Sequence, residues 1–135
     1  MVSIDITYNG KTQCTLVHES GATIGTGAPR DIGGDGDRFS PTDLIAAGLA
    51  SCILTTVAMW AKRNEIELDG ATAHVTKEMT TTTPRRISRL ATTITIPADK
   101  LSPEQRTVAE KIAHTCPVHQ SLHPDVEAPI EFVYG

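Results

Sequence analysis

The stretch that most restricts the fold is Ser40 to Asn64, SPTDLIAAGLASCILTTVAMWAKRN, where nearly every residue from Leu44 to Ala61 is apolar or small. Ser40 can cap the first turn, Pro41 suits the first helical position, and Asp43 completes a capping box three residues after the cap. A helix with no clear polar face is expected to be buried on most sides, as a core helix. At ~1.5 Å per residue it runs on the order of 35 Å, too long for a chain of this size to wrap alone, so a partner chain is expected. Ser51, Cys52, Thr55 and Thr56 interrupt the apolar run, and its unbroken part falls short of the ~18 residues of a membrane span.

The 135 residues are read as one domain, 1–135, large enough for a core but near the size at which oligomerisation often completes it. A net charge of -4 and an aromatic content of 4% disfavour nucleic acid as a partner. The N-terminal MVSIDITYNGKT has no basic stretch followed by an apolar run, so no signal peptide is expected and the cytoplasm is the expected compartment. Cys14, Cys52 and Cys116 are too few, and odd in number, for a secreted disulfide framework. In a reducing compartment a pair of them points to catalysis or redox sensing.

Val2 to Tyr8 alternates as a half-buried strand, Asn9-Gly10 signals a hairpin turn, and strands are expected over Thr12–His18 and Ala22–Thr26. Cys14 should face the core. The loop GAPRDIGGDGDRF then delivers Arg30 and Arg38 close to the N-terminus of the long helix. Beyond that helix, whose Trp60 should pack in the core, Gly70–Thr81 and Ile87–Ile96 read as an antiparallel pair and Val126–Tyr134 as the last strand. Ser102 to Gln105 opens a second helix running through His114, with Val108, Ala109, Ile112 and Ala113 as its buried stripe. Pro117 leaves Cys116 as the cap of a short helix that reaches about Leu122.

Cys52 and Cys116 stand 64 residues apart, which fits no C-x-x-C or zinc-ribbon spacing, so any pairing must come from the fold. The unsatisfied N–H groups at a helix start favour a thiolate, so Cys116 is expected to ionise readily. Cys52, among apolar groups, is expected to stay a thiol unless a cation or general base approaches it, with an arginine the natural candidate.

Ser40-Pro41-Thr42-Asp43-Leu44-Ile45-Ala46-Ala47-Gly48-Leu49-Ala50-Ser51-Cys52, followed by Cys116-Pro117-Val118-His119-Gln120-Ser121-Leu122, closely resembles the OsmC/Ohr family of thiol-dependent hydroperoxide reductases. The likeness spans nearly the whole chain. It implies an α+β, OsmC-like fold in which antiparallel β-sheets wrap a long central helix, and an intertwined homodimer with active sites at the subunit interface. It also implies that Cys52 is the peroxidatic and Cys116 the resolving cysteine, that a hydroperoxide is the substrate and an external dithiol the reductant, and that no metal or flavin takes part. Family members hold an arginine with an acidic residue beside the thiolate; Arg38 and Arg30 are the candidates here, with Asp43 as the acid. The organic-hydroperoxide branch carries glutamate where this chain has Thr42, whereas Asp43 matches the acidic position of the OsmC-like branch with a CPVH motif. Nine helical residues place Asp43 ~13 Å along the axis from Cys52 and on the opposite side of the helix. It is then either a cap alone or part of a site formed across the interface with a partner's Cys52.

Two other readings compete. His114, Cys116, His119 and His123 cluster within ten residues as a zinc reading would need, but Pro124 restricts His123 against the helical spacing required. Alternatively the protein is non-catalytic, binding a hydrophobic ligand near Cys52 or sensing redox state.

Overall fold

The computed structural model describes residues 1–135, whose contacts gather into two compact units, Met1–Ile45 and Ala46–Gly135. In the first, β1 (Ile4–Gly10), β2 (Gln13–His18) and β3 (Thr23–Gly27) pair antiparallel in that order. The β1–β2 turn sits two residues later than Asn9-Gly10 would place it. Its central residues are Lys11 and Thr12, at φ 54° and 61°, and Gly10, at φ 86°, faces Gln13 across the ladder. Positive φ at both central residues suits the right-handed twist of the strands. The register slips between Tyr8 and Gly10, so Asn9 is the extra residue of a bulge, and its Nδ2 donates to Thr15 Oγ1 at 2.7 Å. The glycine therefore serves the bulge and the turn entry, not the turn itself.

This unit has no buried hydrophobic residue. Ile4, Ile6 and Tyr8 of β1 stand exposed. Cys14, expected to face the core, is half-buried between Tyr8 and Thr26 in the sheet. After β3, a 3-10 turn at Arg30–Ile32 begins the glycine-rich loop, and the Gly27 N–H donates to the Phe39 carbonyl at 3.1 Å where the loop returns.

Helix α1, Pro41–Arg63, begins where the sequence predicts. Ser40 Oγ accepts the Asp43 N–H at 3.1 Å and Asp43 Oδ2 accepts the Ser40 N–H at 2.9 Å, a reciprocal capping box. α1 is long and apolar enough to cross a membrane, although the apolar run read from the sequence is too short for one. One face of it nevertheless forms the spine of a core in the second unit.

In that unit β4 (Thr72–Met79) pairs antiparallel with β5 (Ile87–Ile96), as expected, with a register shift between Glu78 and Met79. The last strand, β6, begins only at Ile130 and runs to Tyr134, and it pairs parallel to β5. Helices α2 (Pro103–Ala113) and α3 (Pro117–Ser121) occupy the crossover between them, which returns the chain to the end where β5 started. The Leu90, Ile94 and Ile96 side of β5 packs with Leu49, Ile53, Val57 and Ala61 of α1, Ala109 and Ala113 of α2, and Cys116. Each fully buried leucine or isoleucine contributes about 1.5–3 kcal/mol. Trp60 is partly buried against this cluster, as expected.

Two packing expectations change. α1 is buried along one side, while Thr55 is exposed and Met59 is 56% exposed, because this chain supplies a single layer against the helix. On α2, capped by Ser102 and Gln105 as predicted, Val108 is 42% exposed and the buried stripe narrows to Ala109 and Ala113.

Candidate functional site

Cys52 lies one position before the fully buried Ile53 and is itself half-buried. Its sulfur is 4.0 Å from the hydroxyl of Thr56, one helical turn on. Cys116 is fully buried and caps α3, its Sγ accepting the His119 N–H at 3.5 Å. Pro117 has no N–H at the first helical position, which leaves the amide of Val118 unpaired within so short a helix and available to a sulfur. The crossover between β5 and β6 carries this corner to Cys52, so the two free thiols, 64 residues apart in sequence, share one cluster and each shifts the other's ionisation.

The order of ionisation reverses the sequence expectation. Burial pushes the Cys52 thiol up, but hydrogen bonds from the Cys116 thiol, the Val118 N–H and the Thr56 hydroxyl outweigh it and hold Cys52 below its ordinary value. Burial also raises Cys116, its hydrogen bond with Cys52 raises it further, and the His119 and Val118 N–H groups recover only part of this. The helix-start N–H groups do reach Cys116, but its burial and its neighbour Cys52 outweigh them, while the Val118 N–H also serves Cys52. Cys52 is less deeply buried and receives a donor from Cys116 itself, so the pair releases its first proton as a unit with the charge resting on Cys52.

Arg30, Arg38 and Asp43 belong to the first unit, and each is held within it. Arg30 Nε donates to the Asp35 carbonyl at 3.0 Å, and its stem passes beside Gly36. Arg38 lies along β3: its stem is 3.6–3.9 Å from where a Cβ on Gly27 would stand, and its Nη1 is 3.1 Å from the equivalent point on Gly25. Gly25 thus leaves room on this face of the strand for the guanidinium, whereas a methyl group on Gly27 would meet the stem at ordinary contact distance. Asp43 is the capping carboxylate described above.

The histidines of the zinc reading take other partners. The His114 and His119 rings meet edge to face at 5.4 Å, His119 Nε2 donates to the Ala128 carbonyl at 3.1 Å, and His123 Nδ1 lies 3.7 Å from Asp125. No group of three or more histidine, cysteine, aspartate or glutamate side chains converges as a metal site. Three contributors escaped the sequence reading. Thr56 was visible as the i+4 neighbour of Cys52, and the Val118 amide as the orphan after Pro117. The Ala128 carbonyl had no sequence signal.

Residues 34–131 match the family described as OsmC-like protein. Among solved structures, one from Psychrobacter arcticus 273-4, described as an osmotic stress induced and detoxification response protein, is 39% identical and superposes with a TM-score of 0.90, over 98% of this chain and 96% of that one. The organic hydroperoxide resistance protein OsmC of Legionella pneumophila has 18% identity, a TM-score of 0.75 and coverage of 98% and 96%. OhrB of Bacillus subtilis, an organic hydroperoxide resistance protein, has 18% identity, a TM-score of 0.71 and coverage of 98% and 97%. These two show likeness of fold. Among curated proteins there is no match.

Proposed function

The chain belongs to the OsmC-like protein family, and from that premise we propose that it is a cysteine-based peroxidase that reduces organic hydroperoxides to alcohols in oxidative or osmotic stress defence. The observation that carries this reading is the placing of Cys52 against the buried Cys116 in one packed cluster, with Cys52 held below the ordinary thiol range. In the proposed cycle the Cys52 thiolate attacks the distal oxygen of ROOH; the O–O bond breaks, RO⁻ takes a proton to leave as the alcohol, and Cys52 becomes a sulfenic acid. Cys52 has then lost its negative charge and no longer opposes ionisation of Cys116. The Cys116 thiolate attacks the Cys52 sulfur, the S–O bond breaks, and hydroxide leaves as water with one proton. An external dithiol returns both sulfurs to thiols by exchange and is itself oxidised.

The reading also takes the protein to be a cytoplasmic homodimer. An arginine, Arg38 or Arg30, acting with Asp43 of one protomer would face the Cys52 region of the other, where a fixed positive charge stabilises both the thiolate and the oxyanion leaving from the peroxide. The test is steady-state reduction of tert-butyl and fatty-acid hydroperoxides against hydrogen peroxide, with dihydrolipoamide and thioredoxin systems supplied in parallel. Thiol-dependent turnover is expected in the parent and none in Cys52→Ser; a parent that consumes no peroxide with either reductant removes the proposal.

A cavity of about 410 Å³ supports a second reading as a hydrophobic-ligand carrier. Leu54, Ala58, Met59, Leu68 and Ala71 line its apolar part, and Thr55, Lys62, Glu67 and Asp69 its polar part. Neither thiol lines it. Binding of a fluorescent fatty acid by Cys52→Ser as tightly as by the parent, with no turnover in either, would favour that reading.

A further inference from the structure

Helix α3 has five residues, too few to hold itself in place, so the position of Cys116 and of the Val118 N–H depends on what ties the helix to its surroundings. One tie is local: Gln120 Nε2 donates to the His114 carbonyl at 2.7 Å, joining α3 to the end of α2. Beside the Cys116 N–H bond to the Ala113 carbonyl and the packing of Val118 and Leu122 on the core, another tie reaches the sheet. Ahead of β6, the Glu127 and Pro129 carbonyls face β5, accepting the N–H groups of Leu90 at 2.7 Å and Thr92 at 3.0 Å. By the alternation of an extended backbone, the Ala128 carbonyl between them faces away from β5, out of the sheet's open edge. His119 Nε2 takes that carbonyl. A carbonyl only accepts, so Nε2 must carry the proton.

We propose that His119 is a positioning residue for the thiol pair: its hydrogen bond to the outward carbonyl of Ala128 fixes α3, and with it Cys116 and the Val118 N–H, against Cys52. This rests on the thiol-redox reading above and adds to it the group that brings the resolving sulfur into range. His119 itself touches neither substrate nor the Cys52 sulfur in this role. The ring is joined to a backbone segment already bonded into the sheet, so the tie transmits the rigidity of β5 to a helix that has little of its own.

The test compares His119→Gln, whose amide nitrogen reaches about as far as imidazole Nε2, with His119→Asn, which falls short of Ala128, and with His119→Ala. Closure of the Cys52–Cys116 disulfide is followed by quenched-flow alkylation and mass mapping, after one equivalent of cumene hydroperoxide and, separately, after diamide. Diamide takes two electrons and two protons from a dithiol, so its arm reads closure whether or not the protein reduces peroxides. Asn and Ala are expected to slow closure about tenfold, the order set by one net hydrogen bond, and Gln to restore it to within about twofold of the parent. Dimedone trapping of the Cys52 sulfenic acid should rise in the two slow variants. Equal rates for Gln and Asn, or parent rates in Asn, overturn the proposal; should His119→Ala not fold, the Gln and Asn pair still decides it. A parent that closes with diamide but not with peroxide overturns the peroxidase reading and leaves this one standing.

Discussion

The two units of the chain are built by opposite means. All the buried hydrophobic residues lie in Ala46–Gly135, whereas ten of the thirteen exposed large hydrophobics lie in Met1–Ile45. The second unit is complete in the ordinary sense, a sheet and helices closing over Leu49, Ile53, Leu90 and Ile94. The first is a sheet with no core, held by its ladder and turns, and it displays Ile4, Ile6, Tyr8, Ile24 and Phe39. A three-stranded sheet needs a hydrophobic face packed against something to be stable. The difference teaches that burial within this chain accounts for half of its architecture. The other half is what the proposed homodimer would have to supply.

The largest effect that could break this contrast is on stability. Ile94→Ala should cost about 2–5 kcal/mol in chemical denaturation, the loss of a fully buried side chain plus its cavity. Ile6→Ala, measured at protein concentrations low enough to keep protomers apart, should cost under about 0.5 kcal/mol. Equal costs would mean that the first unit has a core after all. Next in size is association. Ile6→Asp places a charge on the exposed β1 surface and should weaken self-association about ten- to a hundredfold in sedimentation equilibrium, if that surface is covered by a second copy. An unchanged association constant would separate the apolar sheet from the dimer.

A smaller effect sharpens the chemistry of the second unit. Cys116→Ala removes the thiol donor to Cys52, so the Cys52 pKa should rise and its iodoacetamide rate at pH 7 should fall several-fold. In the parent, Cys52 reactivity should persist to lower pH than an ordinary thiol allows and disappear as pH falls through its depressed pKa. In the variant that inflection should move upward. An inflection that stays put would show that Cys116 is not the donor that matters.

How much of this was legible in the sequence follows from where each feature gets its stability. The α1 cap, the whole span of β5 and Cys116 as a helix cap were all readable, since capping boxes, alternation and Pro at the first helical position act over a few residues. The parallel pairing of β6 was not, because it depends on where a crossover of two helices returns the chain. The turn at Lys11-Thr12 was misplaced by two residues because a bulge absorbed the glycine. The two thiols are legible from local motifs and the family resemblance, but their protonation order depends on packing between residues 64 apart in sequence. Arg38 was named for its place in a loop, and nothing in that loop told of the glycine-floored strand it lies on.

That strand has a consequence for any anion the arginine meets. A guanidinium on a free stem must surrender its rotamers at the moment of contact, and each such immobilisation costs about 0.5–1.5 kcal/mol of affinity. Arg38 is exposed, with its stem along Gly27 and its tip above Gly25, so its guanidinium keeps that cost to meet on contact with an anion. A methyl group on Gly25, 3.1 Å from Nη1, would crowd that tip, whereas one on Gly27 would rest in ordinary contact with the stem.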